Sequence, residues 1–364
     1  MTVIKPMLIF GARPNFMKIA PIFREMAVRS GIDPVLVHTG QHFDEAMSEG
    51  FLRVLELPRP DVHLEVGSGT EAWQTGQIVT RVEPVVAELR PDVGVVVGDV
   101  TSTLAAALAL SLAKVPVAHV EAGLRSRDWT MPEERNRVVV DRISQFLFTP
   151  SADADANLVA EGIDPANVFR VGNVMIDSLD WVLPRLAVDD TLERYGVGDA
   201  GAFGLVTLHR AGNVDDDGIL KGLIAALVEI AEEIPLLFPV HPRTHKRLEA
   251  LGISLDGTGV AHLPPVSYSD FTALLSRAAL VLTDSGGIQE EAVVLGVPCL
   301  TLRENTERPI TLESGLNRLA GTDRETVVRL ARETLRQRRR AAQRPPLWDG
   351  AAARRIVDVL AAEP

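Results

Sequence analysis

One cysteine stands in 364 residues. Cys299 has no partner within the chain, which excludes an internal disulfide and a cysteine metal cluster. A reducing compartment fits, and a cytoplasmic location is the expectation. Positive charge is also scarce: 37 Lys and Arg face 49 Asp and Glu, for a formal charge of -12. That field repels a phosphate backbone, and no basic block overrides it, so nucleic acid is not an expected partner. A small anionic ligand remains open, because a few cations gathered in one cleft suffice. Long hydrophobic runs are missing too. The most apolar region, residues 93–120, is broken by Gly98-Asp99, Lys114 and Pro116. A bilayer span takes ~20 mostly apolar residues in a row, so membrane insertion is not expected. Residues 1–10 lack an apolar core followed by a small-residue cleavage site. The eight histidines show no H-E-x-x-H spacing, and no metal site is expected.

What is present is an ordinary globular composition, 46% hydrophobic and 24% charged, which sets disorder aside. At ~150 residues per domain the length suits two domains. Short β-branched runs at residues 7–10, 35–38, 93–97, 117–120 and 146–149 read as strands. Helix-length runs at 16–29, 44–55, 73–89 and 103–113 lie between them. The strands are continuously apolar rather than alternating, which marks strands covered on both faces in a parallel α/β sheet. The pattern restarts near residue 200, with strands at 203–208, 236–240, 260–263, 280–283 and 299–302. Its clearest helices are 219–232, 271–276 and 288–295. We expect a Rossmann-like domain over 1–187, a linker over 188–201, and a second Rossmann-like domain over 202–345. A helix within 346–364 can pack back on the first domain. The short run Arg338-Arg339-Arg340 reads as a solvated helix end.

Ligands of open parallel sheets sit at the carboxyl ends of the strands. The informative residues fall there. Gly11-Ala12-Arg13-Pro14-Asn15-Phe16-Met17-Lys18 follows the first strand, and its tight turn, helix N-terminus and two cations suit a phosphate. It is neither Walker A nor G-x-G-x-x-G. Gly67-Ser68-Gly69 lacks the final glycine, so a Rossmann-type nicotinamide site is set aside. Asp99, Glu121 and either Glu133 or Glu134 return carboxylates to one edge of the first sheet, which suggests acid–base chemistry. In the second half, His209-Arg210 and His241-Pro242-Arg243 end two strands and suggest anion binding. The strongest local signal is Thr283-Asp284-Ser285-Gly286-Gly287-Ile288-Gln289-Glu290-Glu291. Ser285, Gly286 and Gly287 let the backbone approach a phosphate, and Glu290 or Glu291 lies within reach of ribose hydroxyls. Arg303 to Pro309 adds cations after the next strand. Asp153-Ala154-Asp155 spells D-x-D, but it opens a helix and reads as a first-turn carboxylate pair.

Together these motifs resemble the non-hydrolysing UDP-N-acetylglucosamine 2-epimerases over nearly the full length. Residues 11–18 are similar to that family's G-T-R-P-x-x-x-K, and 98–103 to its G-D-T-T-T-T. Residues 120–125 match V-E-A-G-L-R, 131–137 resemble P-E-E-x-N-R, 283–291 match D-S-G-G-I-Q-E-E, and 306–309 match T-E-R-P. The resemblance implies a GT-B-like α/β fold: two Rossmann-like domains, each with a parallel sheet, and a ligand cleft between them. It implies interconversion of UDP-GlcNAc and UDP-ManNAc, through loss of UDP to a bound 2-acetamidoglucal and its re-addition. No cofactor is implied, and a homodimer is.

By the same resemblance, Asp99, Glu121 and Glu133 are the acid–base residues and Arg137 an orienting partner. Arg13, Lys18 and His209 stabilise the departing diphosphate; Arg210 and Arg243 are further anion ligands by their places beside the strand-end histidines, not by the resemblance. His241, Ser285, Gly286, Gly287 and Glu291 hold phosphates and ribose, while Arg303 and Arg308 help through substrate or cleft closure. There are departures. Ala12 stands for the family's Thr, Gly212 for a carboxylate, and Arg127 for a small or apolar residue. Phe43-Asp44 departs from the pair that follows the segment Thr39-Gly40-Gln41-His42, near which bacterial members often carry a second, regulatory UDP-GlcNAc site. A substituted UDP-2-acetamido sugar, a GT-B glycosyltransferase and a non-catalytic UDP-sugar sensor are the competing readings.

Overall fold

A computed structural model describes residues 3–40, 50, 52–198, 201–337, 342 and 344–362. The chain forms two compact units. One comprises Met1–Val182 with Pro346–Pro364, the other Leu183–Pro345.

The first unit is built on seven parallel strands: β1 (Pro6–Phe10), β2 (Val35–His38), β3 (Val62–His63), β4 (Val93–Val97), β5 (Val117–Val120), β6 (Phe146–Thr149) and β7 (Val168–Arg170). Their order is β3-β2-β1-β4-β5-β6-β7. The order reverses between β1 and β4, which pair in parallel from Pro6↔Val93 to Ile9↔Val96. A reversal leaves a crevice at the strands' carboxyl ends. Every residue of β1, β4 and β5 is buried, as the apolar runs require, and in β5 that includes His119. The helix Thr101–Leu112 buries Ala105, Ala106, Ala107 and Leu110 against the sheet.

The terminal helix Ala352–Ala362 belongs to this first unit and packs on the helices Arg13–Ala27 and Val174–Val182. Ile356 and Val357 are fully buried. Its first turn is capped from the side: Asp177 accepts hydrogen bonds from the backbone N–H groups of Ala352 and Ala353 at 3.2 and 2.7 Å. Burial pushes the Asp177 carboxyl up to about 6 despite those bonds.

The second unit has six parallel strands: β8 (Gly204–Thr207), β9 (Leu236–Pro239), β10 (Val260–Leu263), β11 (Leu280–Thr283), β12 (Cys299–Thr301) and β13 (Asn317–Leu319). Their order, β10-β9-β8-β11-β12-β13, reverses between β8 and β11. Cys299 is buried in β12, and burial pushes its thiol up to about 12, which makes it inert.

Two differences from the sequence reading have plain causes. The stretch 188–201, read as a linker, holds the helix Val188–Arg194, and the units divide earlier, after Val182. That helix packs on Tyr268–Arg277 of the second unit, where Arg194 and the Tyr195 hydroxyl both reach Asp270 at 3.1 Å. The strands β3, β7 and β13 carry no continuous apolar run because each closes an edge of its sheet and is partly exposed. Most of the helix expected at 44–55, the segment Gln41–Asp44 and the Arg338–Arg340 run lie outside the described residues. Among the described residues no helix is long and apolar enough to cross a membrane.

Candidate active site

The first unit gathers its polar groups where β1, β4 and β5 end. Asn15 ties the turn after β1. Its Oδ1 accepts from the Ala12 N–H at 3.0 Å, and its Nδ2 donates to the Val97 carbonyl at 3.0 Å. The helix Arg13–Ala27 then places Lys18, buried, against Glu121, and the ammonium and carboxylate form a close ion pair. The Arg13 side chain lies outside the described residues. Gly98 lines this pair. It has φ +68°, and a Cβ there would stand 2.6 Å from Lys18 Nζ and 3.3 Å from Glu121 Oε2. Glu121 itself has φ +74°, a left-handed conformation that a residue with a side chain adopts at a cost of roughly 1–3 kcal/mol. Backbone bonds from Glu121 and Ala122 to the Phe148 carbonyl, both 3.0 Å, hold it there.

Asp99 follows β4 and is held by Arg137, which donates from Nε and NH2 to its Oδ2 at 3.1 and 2.5 Å. Arg137 is buried and spends NH1 on Glu134 at 2.5 Å. Glu134 is therefore a structural carboxylate. It also accepts from the Ser126 N–H and hydroxyl, each at 2.9 Å, and from the Arg127 N–H at 2.8 Å. Arg127 has φ +60°, so this clamp fixes a strained loop. Glu133, one residue earlier in the same first turn, is only partly buried. Beneath the edge, His119 of β5 is fully buried, with Nδ1 2.7 Å from Asp141 and Nε2 2.8 Å from the Gly98 carbonyl. Asp155, of the D-x-D run, is engaged by Thr149 and by Arg170. Among the described residues no cluster of three His, Cys, Asp or Glu can hold a metal ion.

The second unit repeats the design around a carboxylate. Asp284, after β11, is fully buried and accepts from the N–H groups of His209 and Arg210, both at 2.9 Å. His209 Nδ1 lies 2.9 Å from Asp284 Oδ1. Burial opposes the charge on Asp284. The His209 ring and the two backbone donors outweigh it and hold the carboxyl below the usual range. The His241 ring lies 5.8 Å from that of His209, and its Nδ1 accepts from the Arg243 N–H at 3.2 Å. Arg243 itself points to Asp215 at the surface.

Ser285 and Gly287 are partly exposed at the start of the helix Gly286–Leu295. Gly286 has a second reason to be bare. A Cβ there would stand 2.6 Å from Arg308 NH1 and 2.7 Å from Glu307 Oε1. Arg303 and Arg308 are not open cations. Arg303 pairs with Glu307 at 2.9 Å, and Arg308 with Glu290 and Glu307 at 2.7 and 2.6 Å. The Arg210 guanidinium lies 3.9 Å from Glu307. This buried network assigns Glu290 to structure. Glu291 instead accepts from the Tyr268 hydroxyl at 2.9 Å. Burial pushes its carboxyl up to about 7; the Tyr268 bond opposes that rise, and the charge of Glu290 adds to it. Gly212 has open space where a Cβ would stand, so its lack of a side chain is not forced by crowding.

Sequence reasoning assigned no role to Asn15, Tyr268 or Asp284, and it left Glu133 and Glu134 as alternatives. Asp284 carried a signal, since it ends a strand beside His209. Tyr268 carried none, because only the folding of a separate helix brings it to Glu291.

With this geometry in hand, likeness to other proteins is informative. The family model described as UDP-N-acetylglucosamine 2-epimerase matches residues 24–361. A UDP-N-acetylglucosamine 2-epimerase of Methanocaldococcus jannaschii is 42% identical, over 97% of this chain and 98% of the relative. A UDP-2,3-diacetamido-2,3-dideoxy-D-glucuronate 2-epimerase of Pseudomonas aeruginosa is 41% identical, over 91% of this chain and 92% of the relative. The crystal structure of the M. jannaschii enzyme with UDP-GlcNAc and UDP superposes with a TM-score of 0.89 at 40% identity, covering 99% and 100% of the two chains.

Proposed function

The chain belongs to the UDP-N-acetylglucosamine 2-epimerase family, and from that membership we propose that it interconverts UDP-GlcNAc and UDP-ManNAc. The observation that carries the reading is the pairing of Asp99 with Arg137 and of Glu121 with Lys18 at one crevice of the first sheet. Each carboxylate has a cation beside it that fixes its position, as a group that must meet a proton on carbon requires.

In this reading the first unit acts on the sugar and the second holds UDP. A carboxylate among Asp99, Glu121 and Glu133 takes the C2 proton. The C2–H electron pair forms the C1–C2 double bond, and the C1–O bond breaks toward UDP. The product is a bound 2-acetamidoglucal. UDP then returns to C1, and a proton reaches C2 from the opposite face. Charge grows on the departing diphosphate, and Lys18, Arg13, His209, Arg210, the Ser285 hydroxyl and the Gly287 N–H oppose it. Ribose hydroxyls meet Glu291, and His241 adds a further phosphate contact.

A substituted sugar is the second reading, favoured by the P. aeruginosa relative, whose name specifies a 2,3-diacetamido uronate. NMR of UDP-GlcNAc and of that uronate in deuterated water tests both. The expected result is deuterium at C2 together with the 2-epimer. Failure of both substrates to exchange overturns the proposal, and exchange of the uronate alone selects the second reading. A homodimer rests on family likeness, which sedimentation of the purified protein tests, and a cytoplasmic location rests on the single cysteine.

A further inference from the structure

Two buried or half-buried histidines end strands beside a carboxylate, one in each unit, and they differ in one respect. His119 is closed at both nitrogens, Nδ1 on Asp141 and Nε2 on the Gly98 carbonyl. His209 is closed only at Nδ1, where Asp284 lies 2.9 Å away. The His209 side chain is 37% exposed, while the carboxylate behind it has no exposure. The pairing of β8 with β11, Thr207↔Thr283, brings the two residues together.

An ionised carboxylate offers only lone pairs, so the ring must present a proton at Nδ1. In the neutral ring that leaves Nε2 as the acceptor, facing away from Asp284. A proton arriving at Nε2 makes an imidazolium 2.9 Å from a buried negative charge, which stabilises it. Asp284 cannot turn to serve another group. Its Oδ2 already accepts from the N–H groups of His209 and Arg210, and Asn213 Nδ2 lies 3.3 Å away. Asn213 is in turn tied to the Leu302 carbonyl at 2.8 Å. The His241 ring lies 5.8 Å from that of His209 between centroids, and the neighbouring Arg210 guanidinium lies 3.9 Å from Glu307.

We propose that Asp284 is a positioning residue that acts through His209. It fixes the tautomer and orientation of the ring so that Nε2 gives a proton or hydrogen bond to the leaving diphosphate and takes it back on return. This deepens the epimerase reading and rests on it for the identity of the leaving group.

The test has two arms. Nitrogen NMR of 15N-histidine-labelled protein reads the His209 tautomer directly. The wild-type neutral ring is expected to carry its proton on Nδ1, and Asp284→Asn to shift it toward Nε2. A wild-type ring protonated on Nε2 overturns the proposal without need of any variant. The second arm is a double-mutant cycle on UDP-sugar epimerisation. Asp284→Asn and His209→Asn are each expected to lower kcat by ~10²-fold or more, with KM within about threefold. The double variant is expected to be no slower than His209→Asn alone. Losses that multiply overturn the proposal, because they show Asp284 acting independently of the ring. If the wild type epimerises no UDP-sugar, the epimerase reading fails while the tautomer arm still decides what Asp284 does to His209.

Discussion

Replacing Glu291 with glutamine removes a charge that the second unit buries at a cost. The carboxyl is 3% exposed, and its pKa stands at about 7 against an ordinary 4.5. Between those values the folded chain keeps a proton that the unfolded chain has lost. Wild-type stability therefore falls as pH rises through that window. Glutamine has the same shape, still accepts from Tyr268, and never ionises. By linkage the variant gains roughly 3 kcal/mol over wild type at pH 8, but less than about 1 kcal/mol at pH 5, where the folded wild type is already protonated. The assay is urea unfolding at the two pH values. It is followed by amide hydrogen exchange in Leu280–Thr283, because two units need not share one transition. In the proposed function Glu291 also receives the ribose hydroxyls, so calorimetry with UDP is expected to show weaker binding by the same variant. A gain of equal size at both pH values, or no gain at pH 8, refutes the claim that burial drives the shift.

Four further outcomes follow from the same contacts. Lys18→Met strands a buried Glu121 carboxylate and is expected to cost about 3–5 kcal/mol in thermal or urea unfolding, while Lys18→Met with Glu121→Gln regains stability but not activity. Glu134→Gln loosens the clamp on Ser126 and Arg127 and lowers the melting temperature, whereas Glu133→Gln leaves that clamp intact and is expected to slow deuterium entry at C2. Gly286→Ala drives a methyl into Arg308 and Glu307 and is expected to cost roughly 1–3 kcal/mol, read by the same unfolding assay. Asp177→Ala removes the side-chain cap of Ala352–Ala362, for about 1 kcal/mol, and limited proteolysis should then cut that helix sooner.

Much of the fold was legible because interior strands of a parallel sheet announce themselves. Residues 93–97 and 117–120 are covered on both faces, so nearly every position is apolar, His119 being the exception, and the strands occupy those residues. The edge strands β3, β7 and β13 give no such signal, since one side of each faces no strand. Chain order alone put the candidate residues Asp99, Glu121, His209 and Ser285 within two residues of strand ends. The sequence by itself also determined the family, through ordered motifs. What each member of a charged run faces depended on the packing of distant segments. Glu133 and Glu134 are neighbours in sequence, yet one turn of helix aims Glu134 into Arg137 and the 126–127 loop. Glu290 and Glu291 part in the same way, toward Arg308 and Tyr268. Adjacent helical positions point about 100° apart, so the partner of a side chain is set by what other segments bring to its face. Distant segments supply Arg308, Tyr268 and Asp284, and no local pattern encodes their arrival.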